Sequence, residues 1–473
     1  MPQPQTSRVF YLLLVLIAAG FVSGCRTYNQ QGEKILQAYR HGDLIVAEQE
    51  ATKKADDKMG GKDAIIWRLE QAAILRSAAK IETSNRAFDQ AQERIDGYAQ
   101  AAKIKLASEA GALLSNQANL PYRGRAYDGI MLNTYKALNY LQLGAPDRAR
   151  VELIRARQRQ QEAVEDNKKR IEKTQEEVEE LQAKDQRAIE AARENSQFKA
   201  QMESNFGGLD KLAAFGDYEN PFTVYLDGLF FMATATGNSD LENARFSLKR
   251  VSGFAPDNKF LKADLEAIEG VLRGRPIPPT TYVIFETGCA PIRDQIRIDI
   301  PILVASVSYV GAAFPKLVNQ GDFMPSLTVT ANGKTETTAM VCSMDSVIGR
   351  DFKNELPTIV TKTLASTVTK ATAAYFANEA TRKADDTAGA VMKLATAAYQ
   401  AAVNIADCRT WNTLPKEFQV CRILTPPDRR IELFGSTSGQ RMIVTVGEGV
   451  FNIVYVKAIN GPGPLRVSQF KLK

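Results

Sequence analysis

The stretch Arg273-Gly-Arg-Pro-Ile-Pro-Pro-Thr-Thr281 divides the 473-residue chain into two parts with different residue patterns. Pro276, Pro278 and Pro279 cannot continue a helix, and they favour an extended connector. We therefore predict a Pro-rich linker at 274–281 between two domains. The chain is 44% hydrophobic and 24% charged, which is typical of globular proteins and enough for more than one core.

Upstream of the linker, the domain 25–273 is rich in Ala, Leu, Gln, Glu and Arg, and its apolar residues recur every three or four positions. This period predicts α-helices. Three turns share a glycine followed by a small alanine, which lets two antiparallel helices approach closely. These residue pairs are Gly42 and Ala47, Gly144 and Ala149, and Gly237 and Ala244. The pattern resembles degenerate tetratricopeptide (TPR) repeats, which implies an α-solenoid with a groove for a partner. A helical bundle with glycine turns is the alternative.

Within this domain, residues 152–204 contain no glycine or proline and carry many charges. Val164, Ile171 and Val178 recur every seven positions, but many other positions of that seam are polar. We predict a long charged helix or helical hairpin that protrudes from the solenoid and exposes a solvated face.

Downstream of the linker, residues 282–473 contain alternating and β-branched runs that are typical of strands. Asn332-Gly333 between two threonine-rich runs predicts a tight hairpin. We expect an antiparallel β-sandwich or barrel with an inserted helical hairpin at about 357–407. The hairpin either packs on the sheet or presents its small residues to a partner or a second copy, which would make the chain a homo-oligomer.

The sequence offers little catalytic chemistry. His41 is the only histidine, which excludes most Ser-His, Cys-His and His-metal sites. A net charge of +6 without a basic arm argues against nucleic acid as a partner. No Cys-x-x-Cys pair occurs among the four downstream cysteines, Cys289, Cys342, Cys408 and Cys421, so the sequence does not support redox or zinc chemistry. Together with the single histidine, this leads us to expect no catalytic residue, metal or cofactor. In an oxidising compartment Cys408 and Cys421 are candidates for a disulfide, and free buried thiols are the alternative.

The N-terminus has the residue pattern of a targeting signal. Residues 9–22 are apolar and uncharged, and this length suits a signal peptide better than a membrane span. The stretch ends in Val22-Ser23-Gly24-Cys25, which resembles the lipobox of bacterial lipoproteins. The resemblance implies that the signal peptide 1–24 is removed and that Cys25 carries the lipid anchor, palmitate included. Arg26 stands where an Asp would favour the inner membrane, so the resemblance implies the outer membrane, facing the periplasm, over the inner membrane or the cell surface. An ordinary secretory signal is the alternative.

Three further phrases resemble a poorly characterised family of bacterial lipoproteins that join a TPR-like half to a β-rich half. They are Phe285-Glu-Thr-Gly288, Tyr309-Val-Gly-Ala-Ala-Phe-Pro315 and Asp407-Cys-Arg-Thr-Trp-Asn-Thr-Leu-Pro-Lys-Glu-Phe418. The resemblance supplies no activity. We therefore expect a multidomain α + β protein that is not an enzyme. It would be a lipid-anchored periplasmic scaffold that holds an envelope protein or peptide in its helical groove, in one version an activator or assembly factor for peptidoglycan synthesis. The alternatives are a subunit of an envelope-spanning export or surface-assembly machine and a cell-wall hydrolase.

Overall fold

The fold is described from a computed structural model of the chain. The described residues are 27–104, 117–181, 183–212, 218–304, 307–381 and 405–473. The predicted signal peptide 1–24, the predicted lipidation residue Cys25 and residues 382–404 of the predicted helical hairpin lie outside these residues.

The first half of the described chain is helical, as predicted. Eleven of the twelve described α-helices precede the linker, and the twelfth lies in the β-rich half. They are α1 Tyr28–Arg40, α2 Leu44–Asp57, α3 Ala64–Ser77, α4 Ile81–Ile104, α5 Ala126–Gln142, α6 Pro146–Glu179, α7 Ala183–Glu194, α8 Ser196–Phe206, α9 Pro221–Thr234, α10 Asn238–Phe254, α11 Lys259–Leu272 and α12 Met344–Thr381.

Helices α1 to α6 pack against one another in chain order, and α9 to α11 continue this stack. Short polar turns separate the helices. Gly42 and Gly144 adopt left-handed backbone conformations, with φ of +80° and +68°, that favour glycine. The Asp43 carboxylate accepts a hydrogen bond from the Val46 N–H at 3.1 Å and so caps α2. Asn220 caps α9 in the same way. The result is a row of helix pairs.

The charged segment 152–204 forms most of α6, all of α7 and most of α8, so it is not one helix. Helices α7 and α8 pack on the β-rich half through a second hydrophobic core. In that core the Phe198 ring lies 6.4 Å from the Phe314 ring, and Phe206 lies 6.1 Å from Phe352. The segment predicted to protrude is therefore held against the β-rich half.

The second half of the described chain is rich in strands, again as predicted. The strands are β1 Thr280–Thr287, β2 Ile292–Val304, β3 Val307–Val318, β4 Leu327–Ala331, β5 Lys334–Thr337, β6 Ala339–Ser343, β7 Glu417–Leu424, β8 Arg430–Gly435, β9 Arg441–Thr445, β10 Phe451–Ala458 and β11 Arg466–Lys471. They form a five-stranded sheet in the order β11-β10-β1-β7-β6, the hairpin β2-β3, and a four-stranded sheet in the order β5-β4-β8-β9.

The sheets correct two expectations. They are not closed barrels, because each has two edge strands. The largest sheet is also not purely antiparallel, since β1 and β10 pair in parallel from Thr280 opposite Phe451 to Thr287 opposite Ala458. Every residue of β1 and β10 is buried, which fits strands covered on both faces. The predicted Asn332-Gly333 turn is confirmed: both residues have positive φ and join the paired residues Ala331 and Lys334.

Helix α12 begins earlier than predicted. The sequence places its start at Pro357, but the helix begins at Met344 and continues through that proline. Ser343 accepts a hydrogen bond from the Ser346 N–H at 3.3 Å, which satisfies a donor of the first turn. A proline suits a helix start, which is why it misled the prediction.

One continuous hydrophobic core joins the two halves. The Phe222 ring of α9 stacks on the Phe418 ring of β7, with centroids 3.8 Å apart and planes 1° from parallel. Tyr225 of α9 and Tyr282 of β1 both donate hydrogen bonds to the buried carboxylate of Asp264, at 3.1 and 3.0 Å. The helical half therefore packs extensively on the five-stranded sheet.

Candidate functional site

The predicted repeat-turn residues lie where neighbouring helices meet. Gly42 and Gly144 lie in the turns, and Gly237 precedes α10 with an extended backbone. Their partner alanines are fully buried. These alanines are Ala47, Ala149 and Ala244. The groove expected to hold a partner should then lie on the inner face, along the first helix of each pair.

That inner face is covered. The residues from Ala64 to Arg76 in α3, from Tyr127 to Asn139 in α5 and from Pro221 to Ala233 in α9 are all buried. A helix that is buried all round needs neighbours on every side. Part of the cover comes from one stretch between α12 and β7, residues 406–414, which we name the junction segment. More of the cover comes from the five-stranded sheet.

Arg409 holds the start of the junction segment. Its guanidinium donates hydrogen bonds to Asp407 at 2.7 Å and to Asp63 at 3.0 Å. It also donates to the backbone carbonyls of Leu120 at 2.8 Å and Gln117 at 3.0 Å. Burial alone would raise the pKa of Asp407, but the Arg409 guanidinium lowers it below its ordinary value. The arginine thus ties the segment to the helical half by ion pairs and carbonyl contacts.

Trp411 forms the apolar centre of the junction. Its ring is fully buried and meets the rings of Phe88 and Tyr135 edge-on, both at 5.9 Å. The indole N–H donates to the Thr413 hydroxyl at 3.0 Å. A residue from the β-rich half therefore fills a pocket between α4 and α5.

Glu70 of α3 holds the backbone beside Trp411. Its carboxylate accepts hydrogen bonds from the N–H groups of Asn412 at 2.7 Å and Thr413 at 3.1 Å. It also accepts one from the Tyr28 hydroxyl at 2.7 Å. Burial raises the pKa of Glu70 to about 7, although these hydrogen bonds act in the opposite direction.

Glu286 of β1 lies at the centre of a second buried polar group. It accepts hydrogen bonds from the Tyr135 hydroxyl at 2.9 Å, from the Lys457 ammonium at 2.6 Å and from the Tyr455 hydroxyl. The guanidinium of Arg76 lies over the Tyr455 ring at 4.8 Å. Burial would raise the pKa of Glu286, but Lys457 and Arg76 lower it below its ordinary value. The buried carboxylate is thus ionised and paired.

A third polar group joins the helical half to α12 and β2. The guanidinium of Arg125 donates to the Glu355 carboxylate at 2.5 Å and to the Arg409 carbonyl at 3.1 Å. Arg293 of β2 donates to the same carboxylate at 2.8 Å. Burial would raise the pKa of Glu355, but the two arginines lower it well below its usual range. The neighbouring Asp351 behaves differently, because burial raises its pKa to about 6.

The described cysteines follow the second of the two alternatives, free buried thiols. All four described thiols are free and buried, so Cys408 and Cys421 form no disulfide. Cys421 lies within the main core, whereas Cys408 packs in a separate small cluster with Ala313. Burial raises the pKa of both thiols to about 12 and that of Cys289 to about 11. Such thiols are poor nucleophiles near neutral pH.

No sequence pattern predicts the junction contacts. Trp411 belongs to a stretch with a family resemblance, but nothing in the sequence marks Glu70, Arg125 or Glu286 as its partners or neighbours. The available signal was the uncharged, aromatic composition of Thr410-Trp-Asn-Thr-Leu-Pro415 outside any helix or strand pattern.

Comparison with known protein families, with characterised proteins and with solved structures finds no match. Among the described residues, no helix combines the length and the apolar character needed to cross a bilayer. Over the same part of the chain, no three His, Cys, Asp or Glu side chains cluster in a way that suits a metal ion.

Proposed function

We propose that the chain is a lipid-anchored periplasmic scaffold or adaptor, which holds a protein partner in the bacterial envelope through degenerate TPR-like repeats. The observation that carries this proposal is the row of sequentially packed helix pairs. Such rows present extended surfaces for other proteins. The lipobox-like segment ending at Cys25 supplies the anchor.

The partner surface proposed now differs from the groove expected from the sequence. The inner faces of α3, α5 and α9 contact the junction segment and the sheet of the same chain. Three of the second helices, α2, α6 and α10, instead expose large apolar side chains. Ile45 of α2 is 73% exposed and Phe246 of α10 is 65% exposed. We therefore assign the partner to this outer face, which we define by α2, α6 and α10.

The rival proposal of a cell-wall hydrolase finds less support among the described carboxylates. A glycosidase needs two carboxyl groups that face a substrate across a cleft. The carboxylates at the contact between the two halves are buried or nearly so. They are Glu70, Glu286 and Glu355, and their oxygens accept hydrogen bonds or form ion pairs. These contacts suit a structural role.

The test is site-specific photo-crosslinking in living cells. A photo-reactive phenylalanine analogue replaces Phe246 in the full-length chain, and the matched control replaces Ile443, which is 62% exposed on β9. We expect a discrete adduct from position 246 that position 443 does not give. Identical adduct patterns from both positions, or no adduct from position 246, would contradict the proposed outer-face adaptor.

The identity of the adduct then decides between the versions of the proposal. A peptidoglycan synthase would make the chain an activator or assembly factor. A component of an export or surface-assembly machine would make it a subunit of that machine. A digestion assay with purified peptidoglycan tests the enzyme reading, because turnover abolished by a single Asp or Glu change would replace the adaptor proposal.

A further inference from the structure

The folded body begins very close to the proposed anchor. Thr27 caps α1: its hydroxyl accepts a hydrogen bond from the Gln30 N–H at 3.4 Å, and the Gln30 side chain accepts one from the Thr27 N–H at 3.0 Å. Only Arg26 separates this cap from Cys25. Two residues span about 7 Å at most. A lipid on Cys25 therefore leaves no long linker between the membrane and α1.

One flank of the first turn of α1 is covered by protein. The Asn29 amide donates to the Arg293 carbonyl of β2 at 2.7 Å, and the Tyr28 ring packs 4.6 Å from the Trp67 ring of α3. This flank faces the interior of the molecule.

The other flank is the turn between α2 and α3. Helices α1 and α2 are antiparallel, since a three-residue turn joins them, and Lys34 pairs with Glu50 at 2.7 Å. If the Lys34–Glu50 pairing is continued along the two helices, Tyr28 lies beside the last turn of α2. Residues 58–62, which follow α2, form most of the turn that leads to α3. We name these five residues the anchor-side tip.

The anchor-side tip contains two lysines and exposes an apolar side chain. Of the acids beside it, Asp56 pairs with Arg68 and Asp63 with Arg409, while Asp57 is exposed. Met59 is 54% exposed between Lys58 and Lys62. The tip is also held in place, because the Lys62 ammonium donates to the Ala118 carbonyl at 2.7 Å and Arg94 donates to the Met59 carbonyl at 2.5 Å. Cations that flank an exposed methionine complement anionic phospholipid headgroups and the apolar layer beneath them.

We propose that the anchor-side tip lies against the phospholipid headgroups of the membrane that holds the Cys25 anchor, with Met59 turned toward the bilayer. This inference rests on the proposed function, because it requires the lipid on Cys25. The tip and the anchor then fix the orientation of the helical half on the membrane. The outer face therefore holds its partner at a fixed distance from the membrane surface.

The test uses the full-length lipidated protein in vesicles of phosphatidylethanolamine and phosphatidylglycerol that contain a headgroup-nitroxide lipid. A fluorophore is attached to Met59→Cys, and the matched control carries it on Ile45→Cys, an exposed apolar position near the start of α2. The two positions are about 20 Å apart along the helix. We expect several-fold stronger quenching at position 59 than at position 45, and a smaller difference when Lys58→Glu is added.

Equal quenching at the two positions, or stronger quenching at position 45, would overturn the inference. Mass spectrometry of the N-terminal peptide separates this failure from that of the proposed function. An acylated Cys25 with no preference for position 59 overturns only the tip contact. An unacylated N-terminus overturns the tip contact together with the anchor.

Discussion

Replacing Trp411 by alanine should destabilise both halves of the protein together. The ring is fully buried and lies against the rings of Phe88 and Tyr135, so its removal leaves a cavity between α4 and α5. Removal of a buried Trp side chain typically costs about 3–5 kcal/mol. Each edge-on ring contact contributes roughly 0.5–1.5 kcal/mol of such a loss. We therefore expect a loss of about 4 kcal/mol in the free energy of unfolding.

The assay is urea unfolding followed by circular dichroism and by tryptophan fluorescence. The chain has two tryptophans, so Trp411→Ala leaves Trp67 of α3 as the fluorescent probe of the helical half. If the shared core couples the two halves, the Trp67 fluorescence and the circular dichroism signal of the variant change in one transition. The urea midpoint of that transition is lower than in the wild type. Ile443→Ala is the matched control, and its exposed site predicts a change within about 0.5 kcal/mol. A Trp67 transition that stays at the wild-type midpoint would refute the coupling. It would support the two independent domains that the linker first predicted.

Three further predictions address one residue each. Glu70→Gln should weaken the pH dependence of the free energy of unfolding. Folding raises the pKa of Glu70 from 4.5 to about 7, so the folded chain binds more protons than the unfolded chain between these pH values. The stabilisation from protonated Glu70 is therefore greatest below about pH 4.5 and is lost as the pH rises through 7. If the urea midpoint changes equally between pH 5 and pH 8 in the wild type and the variant, this prediction is contradicted. Ala149→Trp should overpack α5 against α6 and cost about 1–3 kcal/mol or more, whereas Val151→Trp on the exposed side of α6 should change the thermal midpoint little. Cys25→Ser should abolish labelling by a fatty-acid analogue, and a labelled variant that still sorts to the outer membrane would disprove the lipoprotein assignment.

Local features were predictable from the sequence because neighbouring residues determine them. The Asn332-Gly333 turn needs two positive φ angles, and few other residue pairs accept them. The change from a helical to a strand pattern at the linker also matches the change from helices to strands between Leu272 and Thr280. Asp43, which follows the predicted turn residue Gly42, marks the start of α2 in a similarly local way, because its side chain accepts a hydrogen bond from the Val46 N–H.

The contacts that join the halves were not predictable in the same way. Glu70 and Asn412 are 342 positions apart, and no local period relates them. The parallel pairing of β1 with β10 likewise joins residues about 170 positions apart. A groove inferred from repeat spacing does not reveal that the same chain fills it, because that depends on the shape and chemistry of a loop outside every regular pattern.

The most direct test combines the anchor and the outer face in one measurement. Cells produce the chain with the photo-reactive analogue at position 246, with Cys25 either intact or changed to Ser, and the yield of the envelope adduct is compared after irradiation. An anchored adaptor predicts a discrete adduct that depends on Cys25 and is lost or strongly reduced in the Cys25→Ser cells. An adduct of equal yield in both strains, or none in either, would contradict a lipid-anchored adaptor that meets its partner through this face.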